Sequence, residues 1–410
     1  MVRRFLDKQI ETALKDTPVI MITGARQTGK TTFCQQLIKE GIFSGEYITL
    51  DDPAALMAAK SDPMGFLLGL GEDFIVDEVQ RAPELFLSLK KIIDENKNRR
   101  VILTGSAEVM LQPKVADSLA GRLETHRLWP FSVDEIIGVR SQFLPNLLSE
   151  KSSFTSKAGT WEDILHLIKR GGYPAVVART TDIRRAKWIQ SYLESILQKD
   201  IRDLANIDGL SFIPKILNLL SVRVGSTINM SDLARLSGVK NSSFQRYMAL
   251  LEQIFLIVKI QAWTPNAEGQ FVKSPKIFLN DTGLLCQLAN QNENIYYDRS
   301  QAGHLLENFL VMEIVKQAGW MEEPLRVMHF SMHRGAEVDL VIEDYRKHIY
   351  GIEIKAKASI QEKDFQGLKK LEQLAGNRFK KGIVLYTGSY TLGGFGSKNL
   401  WAVPIKNVWD

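Results

Sequence analysis

One stretch near the N-terminus has the residue types and the spacing that bind phosphate. It fits the pattern G-x-x-x-x-G-K-[ST] and comprises Gly24, Ala25, Arg26, Gln27, Thr28, Gly29, Lys30 and Thr31. Glycines allow backbone N–H groups to approach an anion, and the positive end of the following helix points at the same place. We expect Lys30 to contact the β- and γ-phosphates of ATP, the Thr31 hydroxyl to hold Mg²⁺, and Thr32 to be a further nucleotide-binding residue.

The segments on either side of this stretch are those that a phosphate-binding loop requires. Residues 19–22 are an apolar run typical of a buried parallel strand, and residues 31–40 favour a helix that ends at Gly41. A chance glycine-rich turn is the alternative, and both flanks argue against it.

Two carboxylates stand at the end of a later apolar run, residues 74–76. They are Asp77 and Glu78, the Walker B pattern. We expect Asp77 to reach Mg²⁺ through its water shell and Glu78 to polarise the water that attacks the γ-phosphate. Because this pair follows a phosphate-binding loop on an apolar strand, it predicts ATP hydrolysis as well as ATP binding.

Polar residues also end the next predicted strand, residues 101–104. Thr104 and Ser106 are the candidates to sense the γ-phosphate, and capping of the next helix is the alternative. Arg122 precedes a further predicted strand, residues 123–128. It either reaches a γ-phosphate, in its own or a neighbouring subunit, or pairs a surface carboxylate, and the sequence leaves both open.

The order of these segments predicts the architecture that must position them. Strands alternate with helices, which favours an α/β fold with a parallel sheet and helices on both faces. The ligand then lies at the C-terminal ends of the strands.

A second group of chemical residues lies near the C-terminus. Glu353 and Lys355 are two apart on a predicted strand and share one face, and Asp339 lies one strand earlier. This D…ExK arrangement resembles the PD-(D/E)xK, restriction-endonuclease-like fold. Asp339, Glu353 and a helical Glu307 would then bind a divalent metal, and Lys355 would orient or activate water. A polar strand face without metal is the alternative, and this fold also serves binding alone.

The region between these two groups predicts helices and then a helix-turn-helix with a strand. We expect an exposed loop at residues 143–159, and helix, turn, helix and strand at residues 212–260 resemble a winged helix. Such a module either packs or reads DNA. The residues that would enter the major groove are Lys240, Asn241, Ser242, Ser243, Gln245 and Arg246.

Composition limits the classes of protein. The 410 residues carry a net charge of +5, which permits nucleic-acid binding without arguing for it. No apolar run is long enough for a membrane span, and Arg3, Arg4, Asp7 and Lys8 interrupt any signal-peptide core. The two cysteines follow no metal spacing, so we expect a reduced, cytoplasmic protein.

The motifs together resemble a known group of proteins. GARQTGKT, IVDEVQ, ILTGSA, SLAGR, LWPFSVDEI and GGYP look like those of bacterial and archaeal AAA-type ATPases that carry a C-terminal domain of unknown function. We divide the chain into an AAA-type core (1–135), a helical lid and linker (136–208), a winged-helix-like region (209–290) and a nuclease-like α/β domain (291–410).

Two functions are open at this point. In the first, ATP turnover is coupled to the binding or cleavage of nucleic acid, with DNA as the candidate partner. In the second, the chain is a nucleotide-dependent switch or assembly factor whose nuclease-like domain is inactive and binds an unknown protein. A homo-oligomer is compatible with both.

Overall fold

A computed structural model describes residues 2–105, 119–151, 153–157, 159–198, 212–227, 229–265, 273–289, 302–332 and 335–409. The side chains of residues 197 and 198 are not included. The chain forms two compact units, one of Arg4–Pro130 with Gln253–Phe255 and the other of Phe131–Glu252 with Leu256–Asp410 and the first three residues. Both contain a sheet and helices, so the protein is α/β.

The N-terminal unit is built on a five-stranded parallel sheet. Its strands lie in the order β2-β3-β4-β1-β5. Their bounds are β1 Val19–Thr23, β2 Glu46–Thr49, β3 Phe74–Asp77, β4 Val101–Gly105 and β5 Leu123–Arg127. All strands run the same way, so their C-terminal ends form one edge.

Helices cover both faces of this sheet. They are α1 Asp7–Ala13, α2 Lys30–Lys39, α3 Pro53–Ser61, α4 Pro63–Gly69 and α5 Leu85–Glu95. Side chains alternate along β1, so Val19 and Met21 enter the core cluster that contains α5 residues, whereas Ile20 and Ile22 enter the one that contains α2 residues. Asp62 caps α4 with Pro63 at its first position, which separates α3 from α4.

The C-terminal unit contains helices and a mixed sheet. The helices are α6 Val133–Ile137, α7 Phe143–Leu148, α8 Trp161–Arg170, α9 Pro174–Val177, α10 Asp182–Gln198, α11 Phe212–Ser221, α12 Met230–Ser237, α13 Asn241–Gln253, α14 Thr282–Leu288, α15 Gly303–Gly319 and α16 Gln366–Ala375. The strands are β6 Ile257–Ala262, β7 Lys276–Leu279, β8 Arg326–Ser331, β9 Glu337–Glu343, β10 Ile349–Lys355, β11 Phe379–Tyr386, β12 Leu392–Gly393 and β13 Leu400–Pro404.

The expected winged-helix elements share a sheet with the expected nuclease-like strands. The order in the sheet is β12-β13-β11-β10-β9-β8-β6-β7, and the antiparallel pair β6–β7 joins the rest through parallel contacts of β6 with β8. Apart from Gln253–Phe255, the described residues of the predicted regions 136–208, 209–290 and 291–410 belong to one compact unit. The finer domain division and the restriction-endonuclease-like assignment stay predictions.

The expected loop at residues 143–159 is wrong in its first part. Phe143–Leu148 is a helix, and Phe143, Leu144 and Leu147 are buried. Lys381 donates from Nζ to the carbonyl oxygens of Asn146, Leu147 and Ser149, which satisfies the end of the helix. The partner lysine comes from a distant strand, so the local sequence could not reveal this cap.

None of the helices in the described ranges combines the length and the apolar composition needed to cross a bilayer.

Candidate functional site

The phosphate-binding loop lies at the C-terminal edge of the five-stranded sheet, between β1 and α2. Lys30 is the first residue of α2 and is buried, and its ammonium donates to the carbonyl oxygens of Gly24 at 3.0 Å and Ala25 at 3.1 Å. Burial lowers the pKa of Lys30. The Lys30 side chain therefore folds back onto the loop. It would have to leave these carbonyl oxygens to contact a phosphate.

The loop backbone has the conformation that its glycines allow. Gly29 has a φ of 94° and Gln27 a φ of 61°, both in the left-handed region. A Cβ at Gly24 would stand 2.3 Å from the carbonyl oxygen of Leu128. Arg26, Gln27, Thr31 and Thr32 expose their side chains, whereas Ala25 and Thr28 are buried.

Asp77 is the centre of a hydroxyl network at this edge. Its Oδ2 accepts hydrogen bonds from Thr31 Oγ1 and Tyr47 Oη, each at 2.7 Å, and its Oδ1 accepts one from Thr104 Oγ1. The carboxylate is 1% exposed. The three hydroxyl donors therefore supply the hydrogen bonds that burial would otherwise deny to its oxygens.

The donor set fits a bound Mg²⁺. A carboxylate and a threonine hydroxyl at 2.7 Å from each other are oxygen ligands of the type that Mg²⁺ shares with nucleotide phosphates. Thr31 and Asp77 would hold the ion directly or through water, which would neutralise charge on the phosphates.

Glu78, the predicted base, has an unusual backbone. Its φ of 60° lies in the left-handed region, which non-glycine residues adopt at a cost of about 1 kcal/mol or more. Its backbone N–H donates to Thr104 Oγ1 at 3.1 Å, and its carboxylate accepts a hydrogen bond from Gln80 Nε2. Thr104 therefore contacts both acidic residues, while Ser106 lies outside the described residues.

Arg122 does not lie at the phosphate loop of its own chain. Its backbone carbonyl accepts from Val19 at the first residue of β1, whereas the loop follows the last residue of that strand. The strand separates them by about 13 Å at 3.3 Å per residue. Nε instead pairs Asp94 Oδ1 at 2.6 Å, which is the surface pair that the sequence left open. A contact of Arg122 with a γ-phosphate stays a prediction.

Two residues near the loop were missed by sequence reasoning. Tyr47 reaches Asp77 from β2, and the pairing of β2 with β3 sets that contact. Arg4 is buried and donates to the carbonyl oxygens of Trp129 and, at 3.4 Å, of Thr28 in the loop. Neither residue belongs to a local motif. For Tyr47 the sequence held one signal, a tyrosine on a predicted strand that could pair with the Walker B strand.

In the C-terminal unit a lysine occupies the centre of the predicted metal cluster. Lys276 of β7 is 1% exposed. Its Nζ lies 2.9 Å from Glu307 Oε1, 2.7 Å from Glu337 Oε1 and 3.0 Å from Asp339 Oδ1. Burial opposes the charge of Lys276, but the three carboxylates outweigh it and raise the pKa of its ammonium.

The other two predicted residues form a pair beside this lysine. Lys355 Nζ lies 2.5 Å from Glu353 Oε1, while Glu353 Oε2 is buried and has no hydrogen-bond partner in the part of the chain that the structure describes. Burial, followed by the charge of Asp339, raises the pKa of Glu353 to about 8. Asp339 Oδ2 accepts from the backbone N–H of Ile354 at 2.8 Å, so the adjacent strands β9 and β10 bring Asp339 and Glu353 together.

The cluster does not fit the divalent metal that the resemblance implied. The described residues contain no group of three or more His, Cys, Asp or Glu arranged for a metal ion. In addition, the ammonium of Lys276 stands among the oxygens that a metal would need. Glu307, Asp339 and Glu353 are close as expected, but their metal-ligand role is not supported by this geometry.

The GGYP motif has a structural role in the same unit. Asp281 is buried, caps α14 and accepts from the backbone N–H of Gly172 at 2.6 Å. A Cβ at Gly172 would stand 2.0 Å from the carbonyl oxygen of Phe131. The motif therefore fixes the chain between α8 and α9 against α14.

Three family models match consecutive parts of the chain. An AAA domain model matches residues 16–137, a domain of unknown function (DUF8612) matches residues 162–294, and another (DUF4143) matches residues 302–408. The first match covers the parallel sheet and its phosphate-binding loop. The N-terminal part is therefore an AAA-type P-loop ATPase domain.

Similar proteins occur in bacteria and in an archaeon. An uncharacterised protein of Mycobacterium tuberculosis is 27% identical over 356 residues, which are 86% of this chain and 74% of the relative. An uncharacterised protein of Methanocaldococcus jannaschii is 20% identical over 379 residues, which are 90% of this chain and 81% of the relative.

Two solved structures are similar at low scores. The Holliday junction branch migration motor RuvB of Thermotoga maritima is 18% identical, with 63% of this chain and 90% of that chain covered and a TM-score of 0.30. A signal transduction ATPase with numerous domains from Pyrococcus horikoshii is 14% identical, with 78% and 47% covered and a TM-score of 0.28. These scores are too low to establish a shared overall fold.

Proposed function

We propose that the chain binds ATP with Mg²⁺ and hydrolyses it at the edge of the five-stranded sheet. The observation that carries this proposal is the Asp77 network, in which the Walker B carboxylate and the P-loop threonine hydroxyl lie 2.7 Å apart. An aspartate that served only stability would not need a threonine from the phosphate-binding loop as its donor.

The roles of the residues follow from their positions. Backbone N–H groups of residues 24–31 and the positive end of α2 receive the phosphates, and Lys30 moves from the loop carbonyls to the β- and γ-phosphates. Thr31 and Asp77 hold Mg²⁺, and Glu78 accepts the proton of the attacking water. Thr104 links Glu78 to Asp77 and is the described candidate to sense the γ-phosphate.

Calorimetric titration with Mg·ATP tests the binding step. The full chain should bind one ATP, and Lys30→Ala should abolish or strongly weaken this binding. Lys91→Ala is the matched control because Lys91 is exposed and makes only a 4.0 Å contact with Glu95. Equal affinities of the wild type and Lys30→Ala would contradict the proposed role of the loop.

For the C-terminal unit the geometry favours the second of the two functions expected from the sequence. We infer that the protein is a nucleotide-dependent switch or assembly factor whose C-terminal domain binds a partner without cutting nucleic acid. Lys276 among the carboxylates supports this inference, because metal-assisted hydrolysis needs those oxygens for the ion.

DNA cleavage coupled to ATP remains the competing proposal, and one surface favours DNA contact. Four polar residues are exposed just before and within α13, the helix that would read DNA. They are Lys240, Asn241, Gln245 and Arg246. Plasmid incubated with the full chain and Mg²⁺ or Mn²⁺, with and without ATP, should stay supercoiled. Nicking that disappears in Asp339→Ala would establish the nuclease instead.

A further inference from the structure

The carboxylate cluster of the C-terminal unit contains its own cation. Lys276 has three N–H donors, and three carboxylates, those of Glu307, Glu337 and Asp339, each accept at 2.7–3.0 Å. The number of donors equals the number of acceptors. We propose that Lys276 is a tethered cation that replaces a divalent metal in this cluster and excludes it, and that loss of the lysine charge exposes a latent divalent-cation site.

The first argument is spatial. Mg²⁺ requires oxygen ligands at about 2.0–2.1 Å, whereas the ammonium nitrogen already stands among the same oxygens at 2.7–3.0 Å. The two cations would occupy the same point. A metal can enter only if the buried Lys276 side chain leaves.

The second argument is the charge balance. Four carboxylates, those of Glu307, Glu337, Asp339 and Glu353, share the positive charges of Lys276 and Lys355. Removal of Lys276 would leave the buried Asp339 and the part-buried Glu307 close together, beside the more exposed Glu337, with no counter-charge from that side. Like charges with little access to water repel strongly. A divalent cation is the simplest species that restores the balance.

The third argument is an unused ligand atom. Glu353 is 8% exposed, and its Oε1 pairs Lys355, whereas its Oε2 has no hydrogen-bond partner among the described residues. The two lysines therefore leave one carboxylate oxygen beside Asp339 unsatisfied. That oxygen could bind a metal together with Glu307 and Asp339 once Lys276 is gone.

Two carboxylates of the cluster, those of Glu307 and Asp339, face a cleft that opens to solvent, although Lys276 itself is buried. An open cleft of about 410 Å³ is lined by Gly303, Glu307, Asp339, Ile354, Lys355, Ala356 and Lys357. A hydrated ion can enter it without unfolding of the sheet. Exclusion of metal is thus an effect of Lys276 and not of a closed surface.

Mn²⁺ binding, followed by the electron paramagnetic resonance signal of the free ion, tests the proposal. The experiment uses the full chain without nucleotide. Every variant also carries Asp77→Asn, which removes the carboxylate proposed to bind metal at the ATP site. This background should bind no Mn²⁺ in the C-terminal unit. Addition of Lys276→Met should raise the bound Mn²⁺ from none to one ion per chain, and Asp339→Asn added to that variant should abolish the site again.

Three further variants separate charge from shape. Lys276→Arg keeps the positive charge and should bind no Mn²⁺, and Lys357→Met removes a lysine of the same cleft and should create no site. Lys276→Gln replaces the methionine variant if circular dichroism shows that the latter is unfolded.

Two results would overturn the proposal. One is a Mn²⁺ site in the chain with Lys276 intact that Asp339→Asn removes, and the other is a folded Lys276→Met or Lys276→Gln chain that binds none. Neither result bears on ATP hydrolysis, which this assay does not measure.

Discussion

At the scale of single residues, the chemistry of the N-terminal unit depends on Asp77 and the hydroxyls around it. Thr31, Tyr47 and Thr104 come from α2, β2 and β4, and each donates to the same carboxylate. Donors of this kind orient a metal-binding carboxylate, and their loss commonly weakens metal binding by 10-fold or more.

Tyr47→Phe tests this positioning. The variant removes one donor to Asp77 Oδ2 and keeps the ring, so it should raise the Mg²⁺ concentration needed for half-maximal ATPase activity about tenfold. Affinity for ATP without metal should not change. The measurement is an Mg²⁺ titration of turnover, with Tyr390→Phe, an exposed tyrosine of the other unit, as control. An unchanged Mg²⁺ requirement would give Tyr47 a structural role only.

The sequence left two roles open for Arg122, and the structure favours the surface ion pair. It pairs Asp94 at the edge of the sheet away from the loop. Arg122→Ala should therefore leave turnover per chain within a factor of about two, since such part-exposed pairs contribute little. Turnover measured over a range of protein concentrations checks this. A fall of about a hundredfold would instead assign the arginine to the γ-phosphate of a neighbouring subunit.

Sequence and structure agree best where the chemistry is local. Residues 24–31 and the pair Asp77–Glu78 are contiguous motifs, so their types and flanks predicted their placement at the edge of the sheet. Lys276 could not be predicted in the same way, because it is far from Asp339 in sequence and only the pairing of β7 with β6, and of β6 with β8, brings it near. Tyr47 was missed for the same reason.

At the scale of elements, a buried polar junction joins α6 to α15. Asp134 is fully buried, and its Oδ2 accepts from Gln317 Nε2 at 3.1 Å. Glu313 lies nearby and accepts from the backbone N–H of Val133 and from Lys316, each at 2.8 Å. Burial, followed by the charge of Glu313, raises the pKa of Asp134 to about 8.

This pKa predicts a pH dependence of stability. The folded chain keeps a proton on Asp134 that the unfolded chain loses above about pH 4. The contribution of this group to stability is therefore full below that pH and is lost as pH rises toward 8. Asp134→Asn cannot ionise, so its stability relative to the wild type should increase between pH 5 and pH 8, on the order of 3 kcal/mol.

Thermal unfolding followed by calorimetry at both pH values measures this change. Asp163→Asn is the control because Asp163 is exposed and its pKa is lowered, so it stays ionised throughout the range. If the difference in stability between Asp134→Asn and the wild type is the same at pH 5 and at pH 8, Asp134 is ionised in the folded chain and the prediction is wrong.

At the scale of the whole molecule, the chain consists of an ATPase domain and a second compact unit. The second unit contains helices and a single mixed sheet. The sequence predicted α/β architecture and the parallel sheet of the first unit, because both depend on regular alternation of strands and helices. It did not predict that β6 and β7 extend the C-terminal sheet, because pairing between distant strands leaves no local pattern.

The central claim is ATP hydrolysis with Glu78 as the base, and phosphate release tests it most directly. Wild-type chain with Mg·ATP should release phosphate continuously. Glu78→Gln should bind ATP with unchanged affinity and release phosphate at least about a hundredfold more slowly, because general-base catalysis contributes that much. Wild-type turnover no faster than that of a folded Glu78→Gln chain would contradict the account.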